Sequence, residues 1–505
     1  MKKASQVLFF GAFLSSSLQG FEAKLNGFVD QSSTIGFNQH KINKERGIYP
    51  MQQFATIALN GFVDQSSTIG FNQHKINKER GIYPMQQFAT IAGYLGLGFS
   101  LLPKKVSDHV LKGKIGGMVG SIFYDGTKKF EDGSVAYNLF GYYDGFMGGY
   151  TNILQTDSLE TQNMKHNKNV RNYVFSDAYL EYAYKNYFEI KAGRYLSTMP
   201  YKSGQTQGFQ VSGQYKKARL TWFSSFGRAF AYGSFLMDWF AARTTYSGGF
   251  TKNDKGGYDS HGRKVLYGTH AVQLTYKPHR FLIEGFYYLS PQIFNAPGVK
   301  IGWDSNPNFS GTGFRSDTAI IGFFPIYYPW MIVKSNGSPV YKYDTPATQN
   351  GQNLIIRQRF DINNYNVSIA FYKVFQNANG WIGNMGNPSG VIMGSNSVYA
   401  GFTGTALKRD AATIFLSCGG THFAKKFTWK FATQYSNSVV SWEARAMISL
   451  GYKFNEYLSG SVDLAYYGVH TNKGFKPGEN GPVPKNFPAL YSDRSALYTA
   501  LVASF

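Results

Sequence analysis

From Trp442 to Phe454 the chain alternates. Trp442, Ala444, Ala446, Ile448, Leu450, Tyr452 and Phe454 share one parity; Glu443, Arg445, Met447, Ser449, Gly451 and Lys453 take the other. Successive side chains of a strand point to opposite faces, so this spacing predicts a strand with one apolar face. After Asn455-Glu456 the pattern resumes. Leu458, Gly460, Val462, Leu464 and Tyr466 face one way; Ser459, Ser461, Asp463, Ala465 and Tyr467 face the other. Similar hairpins are predicted at 180–184/188–192, with a turn at 185–187, at 209–215/218–222 and at 272–276/281–287. Strands at 365–373 and 427–435 continue the series.

These strands exceed the usual 5–6 residues of soluble sheets. They match the roughly 9–11 tilted residues that cross a bilayer. Their apolar faces end in Tyr, Trp or Phe, the girdle expected where lipid meets water. A secreted β-sandwich would point its apolar faces inward, and it explains neither the strand length nor the small polar-face residues. Composition agrees. Aromatics reach 17%, charged residues 16%, and glycines number 56 in 505 residues. That aromatic load argues against disorder. No apolar run reaches the roughly 18–20 residues of a spanning helix. One cysteine, Cys418, excludes an intramolecular disulfide framework.

Residues 1–20 read as a secretory signal peptide: Lys2 and Lys3, then a short apolar stretch from Ala4 to Leu18. The mature chain is expected to start near Phe21. Leu25 to Ala58 is then repeated without substitution as Leu59 to Ala92, a period of 34 residues. Helical solenoids of this period need three or more divergent copies, so the repeat reads as a tandem duplication. A closed antiparallel barrel does not tolerate the insertion of one strand, because everything after it would reverse. One copy is therefore expected outside the wall. The expected domains are a 21–92 segment partly outside the barrel and a barrel over 93–505.

The chain ends in a further alternating segment. Leu497, Thr499, Leu501, Ala503 and Phe505 share one face, like the C-terminal signal read by the bacterial barrel-assembly machinery. Lipid leaves no partner for a bare sheet edge, so the sheet must close. The length predicts an all-β, closed, transmembrane antiparallel barrel of about 16–18 strands, wide enough for an aqueous channel.

Three blocks carry a family resemblance: FEAKLNGFVDQSSTIGFN, GIYPMQQFATIAGYLGLGFSLLP and GKIGGMVGSIFYDGT. The chain resembles the Hof family of Helicobacter outer-membrane proteins, which usually carry one copy of the repeated unit. A looser likeness to OprD-type porins rests on DAYLEYAYKNYFEIKAGRYLSTMPY and the QGFQVSG after it. The resemblance implies an outer-membrane barrel with porin-like character, but it names no solute.

The polar parities supply pore-lining candidates: Glu181, Glu189, Lys191, Arg219, Glu284, Arg357, Arg359, Lys430, Glu443, Arg445 and Asp463. Six are basic and five acidic, so the lumen is expected to be mixed and weakly selective. The formal charge is +22, and its excess is assigned to loops and turns, tilting the preference toward anions. The pairs Lys104-Lys105, Lys128-Lys129, Lys216-Lys217 and Lys425-Lys426 are candidate contacts for lipopolysaccharide phosphates or acidic host glycans. The segment from Ala319 to Val333 carries Pro325 and Pro329, which forbid a central strand through it. It reads either as an aromatic loop folded into the pore or docking a partner, or as a strand with an interfacial girdle.

The nine histidines form no HExxH, and no Gly-x-Ser-x-Gly elbow stands between a strand and a helix. Gly93, Gly96 and Gly98 lie in a strand-like segment, and Cys418 shares parity with Ile414 and Leu416. No enzyme, cofactor, metal site or nucleic-acid partner is expected. The leading expectation is a passive channel for small hydrophilic solutes. The alternative is a surface-binding barrel whose extracellular loops meet a host ligand.

Overall fold

The computed structural model describes most of the chain from residue 55 onward. Before residue 55 it describes only Ser33–Ile35, and it omits 126–172, 378–403, Phe505 and several shorter stretches. The signal-peptide segment, Lys104-Lys105 and Lys128-Lys129 lie outside the described residues.

Eighteen antiparallel strands form one closed wall. In chain order they are β1 (Ala55–Gly70), β2 (Phe88–Ser100), β3 (His109–Asp125), β4 (Tyr173–Tyr184), β5 (Phe188–Ser197) and β6 (Gly204–Tyr215). There follow β7 (Ala218–Tyr232), β8 (Thr269–Tyr276), β9 (Phe281–Ser290), β10 (Phe294–Asp304), β11 (Phe314–Phe323) and β12 (Gln352–Ile362). The last are β13 (Tyr365–Phe375), β14 (Ala412–His422), β15 (Phe427–Asn437), β16 (Ser441–Lys453), β17 (Leu458–Thr471) and β18 (Ala496–Ser504). Each strand pairs with its chain neighbours. The ring is sealed where β1 pairs with β18, from Phe62↔Ser504 to Gly70↔Ala496. The lower half of β1, Thr56 to Gly61, pairs with β2 on its other side.

Closure sets what each parity sees. On β16, Ile448, Leu450 and Tyr452 are exposed on the outside, while Glu443, Arg445, Met447 and Ser449 are buried within. The same division runs along β17, where Val462, Leu464 and Tyr466 face out and Asp463, Ala465 and Tyr467 face in. Cys418 lies on β14 with the parity of the exposed Ile414 and Leu416. Gly93, Gly96 and Gly98 are strand residues of β2.

The two ends differ. At the end holding the C-terminus, connections run from two residues (216–217, 363–364) to nine (305–313). At the other end they include 233–268, 324–351 and 376–411. The tight turns use left-handed residues: Lys185, Lys216, His279 and Asn363 all have φ near +50°. Gly193 on β5 also has positive φ, and a Cβ there would fall against the Ala178 carbonyl oxygen. Only glycine suits that position.

The wall starts earlier than residue 93. β1 runs across the junction of the two repeat copies, and β2 begins inside the second. Ser33–Ile35 of the first copy pairs with Ala55 to Ile57. Removal of Leu25 to Ala58 would place Phe21, Glu22, Ala23 and Lys24 directly before Leu59. Phe21 to Lys24 would then take the strand positions of Ala55 to Ala58. This deletion is expected to leave a folded, heat-modifiable barrel on a denaturing gel. Loss of that band would place essential wall residues in the first copy.

Candidate functional site

The interior has two layers. In the half nearer the long loops, a large apolar cluster includes Phe223, Phe286, Phe294, Phe323, Tyr372, Tyr467 and Val469. In the half nearer the short turns, the inward parities carry most of the paired charge; Glu443 and Arg445 lie higher, beside Val469 and Tyr467 of the cluster.

On β3 to β5, Lys112, Glu181 and Lys191 are direct cross-strand neighbours. Lys112 Nζ lies 2.6 Å from Glu181 Oε1, and Lys191 Nζ lies 3.4 Å from Glu181 Oε2. Lys191 also sits 4.1 Å from the Tyr179 ring centroid, a cation–π contact. Arg219 reaches across β6 to Glu189 at 2.9 Å. Glu284 accepts hydrogen bonds from Gln273 at 2.7 Å and Thr275 at 3.3 Å. On β10 to β12, Arg315 grips Asp304 through Nε and a terminal nitrogen, the shorter contact being 2.7 Å. Its guanidinium also lies 3.7 Å from Asp317 and 3.6 Å from Asp361. Arg357 pairs with Asp317 at 2.7 Å, and Arg359 with Asp361 at 2.6 Å. Two-pronged Arg–carboxylate contacts hold both groups in a defined plane.

Further round the wall, Lys430, Ser449 and Asp463 form one cross-strand row. Lys430 lies in the fields of Asp463, Arg359 and Arg445. Arg445 sits 5.6 Å from the Tyr467 ring centroid. Arg494 is fully buried in the break before β18, within the field of Glu443.

All eleven candidates therefore lie on inward parities, but their surroundings differ. The side chains of Lys191, Arg219 and Arg359 are 22, 40 and 39% exposed. Glu443 and Asp463 are only 3 and 2% exposed. The inward face carries further charges that the strand pattern did not single out. Lys112, Lys114, Lys300, Arg315, Asp64, Asp177, Asp304, Asp317 and Asp361 share the inward face, so both signs grow together. Arg315 and Asp317 directly precede the aromatic run at Ala319, and their alternation was the available signal.

The long loops fold inward at two places. The strand Phe235–Ala241 pairs with the end of β7 and packs Leu236 and Trp239 against Ala92, Met118 and Val174. The Trp239 indole N–H donates to the Phe175 carbonyl at 2.8 Å, and Arg194 lies 4.8 Å from its ring centroid. The second place is the Ala319–Val333 segment. Its first residues finish β11, Pro325 follows the strand end, and Pro329 opens a short 3-10 turn. Tyr327 and Met331 are buried in the apolar cluster. Trp330 stacks on Phe250 from loop 233–268, with centroids 4.0 Å apart and planes 12° apart. The segment is thus a strand end followed by an inward loop.

A protein family described as “Putative outer membrane protein” matches residues 8–60 and 56–505. The chain belongs to this family of Helicobacter outer-membrane proteins. The second match begins inside β1, where the repeat copies meet. Solved structures share the architecture of this outer-membrane protein. OccAB1 and OccAB2 of Acinetobacter baumannii each give a TM-score of 0.54 at 8% identity. The alignments cover 88 and 89% of this chain, and 96 and 98% of those chains. OccAB3 of the same organism gives 0.52 at 9% identity, covering 88% of this chain and 99% of that one. At such identities the likeness is one of fold, and these neighbours are Occ-type porins. No curated protein matches the chain.

In outer-membrane barrels the short turns face the periplasm and the long loops face outward. Lys216-Lys217 and Lys425-Lys426 lie in short turns. They therefore face away from the lipopolysaccharide of the outer leaflet, against the expectation for these pairs. Sequence spacing placed them near turns but did not say at which end. Asp108 and Lys185, in two other periplasmic connections, are 2.9 Å apart. That hydrogen bond and charge hold the Lys185 ammonium above its ordinary pKa.

Two outcomes test the interior. Glu181→Gln leaves Lys112 and Lys191 without their shared counter-charge. The anion-to-cation permeability ratio is expected to rise roughly two- to fivefold in planar bilayers; no change would put the ions on another path. Trp330→Ala removes the stack between the two inward loops. Single-channel conductance and its open-state noise are expected to rise. Unchanged traces would show that these loops do not narrow the path.

Proposed function

We propose that this outer-membrane protein is a channel for passive diffusion of small hydrophilic solutes, with weak ion selectivity. Partly exposed charges inside a closed wall carry the reading. Lys191, Arg219 and Arg359 point away from lipid, so their exposure is to lumen water. A wall of 16–18 strands leaves room for such water beyond what side chains fill. Inward loops from 233–268 and 324–351 supply a constriction. The residues assigned to the path are the inward-facing charges of the wall: Glu181, Glu189, Lys191, Arg219, Glu284, Arg357, Arg359, Lys430, Glu443, Arg445 and Asp463.

Weak selectivity follows from pairing. Glu181 neutralises two lysines, and three aspartates surround Arg315, Arg357 and Arg359. An ion passing this belt meets both signs within a few ångströms, so neither sign meets a steep barrier. The net positive charge of the whole chain favours anions at the mouths.

One observation supports the second reading, a surface-binding barrel acting through its extracellular loops. The apolar cluster fills much of the extracellular half, and two small ribbons, Phe250–Lys252 with Tyr258–Ser260 and Thr245–Tyr246 with Lys264–Val265, stand in loop 233–268. Planar-bilayer recording separates the two. A channel is expected to give stable current steps and a small reversal potential on the anion side of a salt gradient. A folded, heat-modifiable but silent barrel would sink the channel reading and favour host-surface binding.

A further inference from the structure

We propose that the periplasmic turns β6–β7 and β8–β9 form a binding surface for an anionic phospholipid of the inner leaflet. The two turns are adjacent on the wall, and the Lys277 amide donates to the Lys217 carbonyl at 3.0 Å. They carry Lys216, Lys217, Lys277 and Arg280, all exposed, and no acidic residue. The four strands they join lie about 4.8 Å apart, so all four cations fall within an arc of roughly 15 Å.

The nearest carboxylates are already engaged. Glu189 is held inside by Arg219 at 2.9 Å. Asp304 donates its amide to the Arg280 carbonyl at 2.8 Å, but its carboxylate is gripped by Arg315. Other periplasmic connections differ. Lys185 is bound to Asp108. Lys425 and Lys426 adjoin the β16–β17 turn, which carries Glu456, through a hydrogen bond from the Lys453 amide to the Lys426 carbonyl.

The surface below this arc is built for lipid. Tyr215, Tyr276 and Phe281 are exposed on the outward parity beside the turns. Leu220, Trp222, Val272, Leu274 and Ile283 continue that face toward the bilayer centre. Aromatics thus sit at headgroup level with cations just beyond them, the order in which a phospholipid presents its glycerol region and phosphate. The cations adjoin the lipid-facing wall, which favours a lipid over a soluble polyanion.

The test uses the full barrel purified in detergent, with retention of added lipid read by native mass spectrometry. Phosphatidylglycerol and the dianionic cardiolipin are expected to be retained over phosphatidylethanolamine, with retention falling as salt rises. K216Q/K217Q is expected to weaken retention roughly 10- to 30-fold. K425Q/K426Q removes the same charge from another turn and is expected to have a clearly smaller effect. Heat-modifiability confirms that each variant is folded. Equal retention of phosphatidylethanolamine, or equal losses in the two double variants, would overturn the site. Displacement of the lipid by millimolar inorganic phosphate, or by a soluble anionic muropeptide, would assign the surface to those anions and overturn the lipid.

Discussion

An unpaired peptide group in hydrocarbon costs several kcal/mol, and everything else in this barrel follows from avoiding that cost. A sheet can meet the condition only by joining its last strand to its first. Here the join is made by Phe62 to Gly70 against Ala496 to Ser504. Once the ring closes, parity has a physical meaning. One set of side chains must satisfy lipid, and the other is sealed from it. The aromatic girdle and the ionic interior are two consequences of one closure.

The sealed side could have been filled uniformly, but it is not. Apolar side chains fill the extracellular half, where long loops return to cover them. The ion-paired belt lies in the periplasmic half, where connections are too short to fold back, while Glu443 and Arg445 are buried higher up, beside Val469 and Tyr467. Partial exposure keeps these ion pairs solvated, so each contributes little to stability. Their arrangement matters for what passes. Arg315 among three aspartates, and Glu181 between two lysines, set a local field in which opposite charges alternate.

The duplication shows how forgiving this architecture is toward insertions at its ends. β1 is unbroken across the copy junction, because Ala55 to Ala58 fill the positions that Phe21 to Lys24 would fill without the first copy. Ala55 to Ala58 of one copy and Leu59 to Gly70 of the next make a single strand.

Alternation alone determined the fold class, the hairpins and the inward parity of Glu181, Arg359, Arg445 and Asp463. It could do so because the side-chain period of two is a local property of the strand. Chain length bounded the strand number, which the closure settled at eighteen. Partners were not legible. That Arg315 meets Asp304, or that Lys112 and Lys191 share Glu181, depends on register between strands. Solvation was not legible either: Lys191 and Asp463 have equivalent sequence patterns, yet one is wet and the other buried. The inward turn of Trp330 depends on loop 233–268, some 80 residues earlier. Contacts between residues distant in the chain come from register and loop packing, and only the closed tertiary structure decides them.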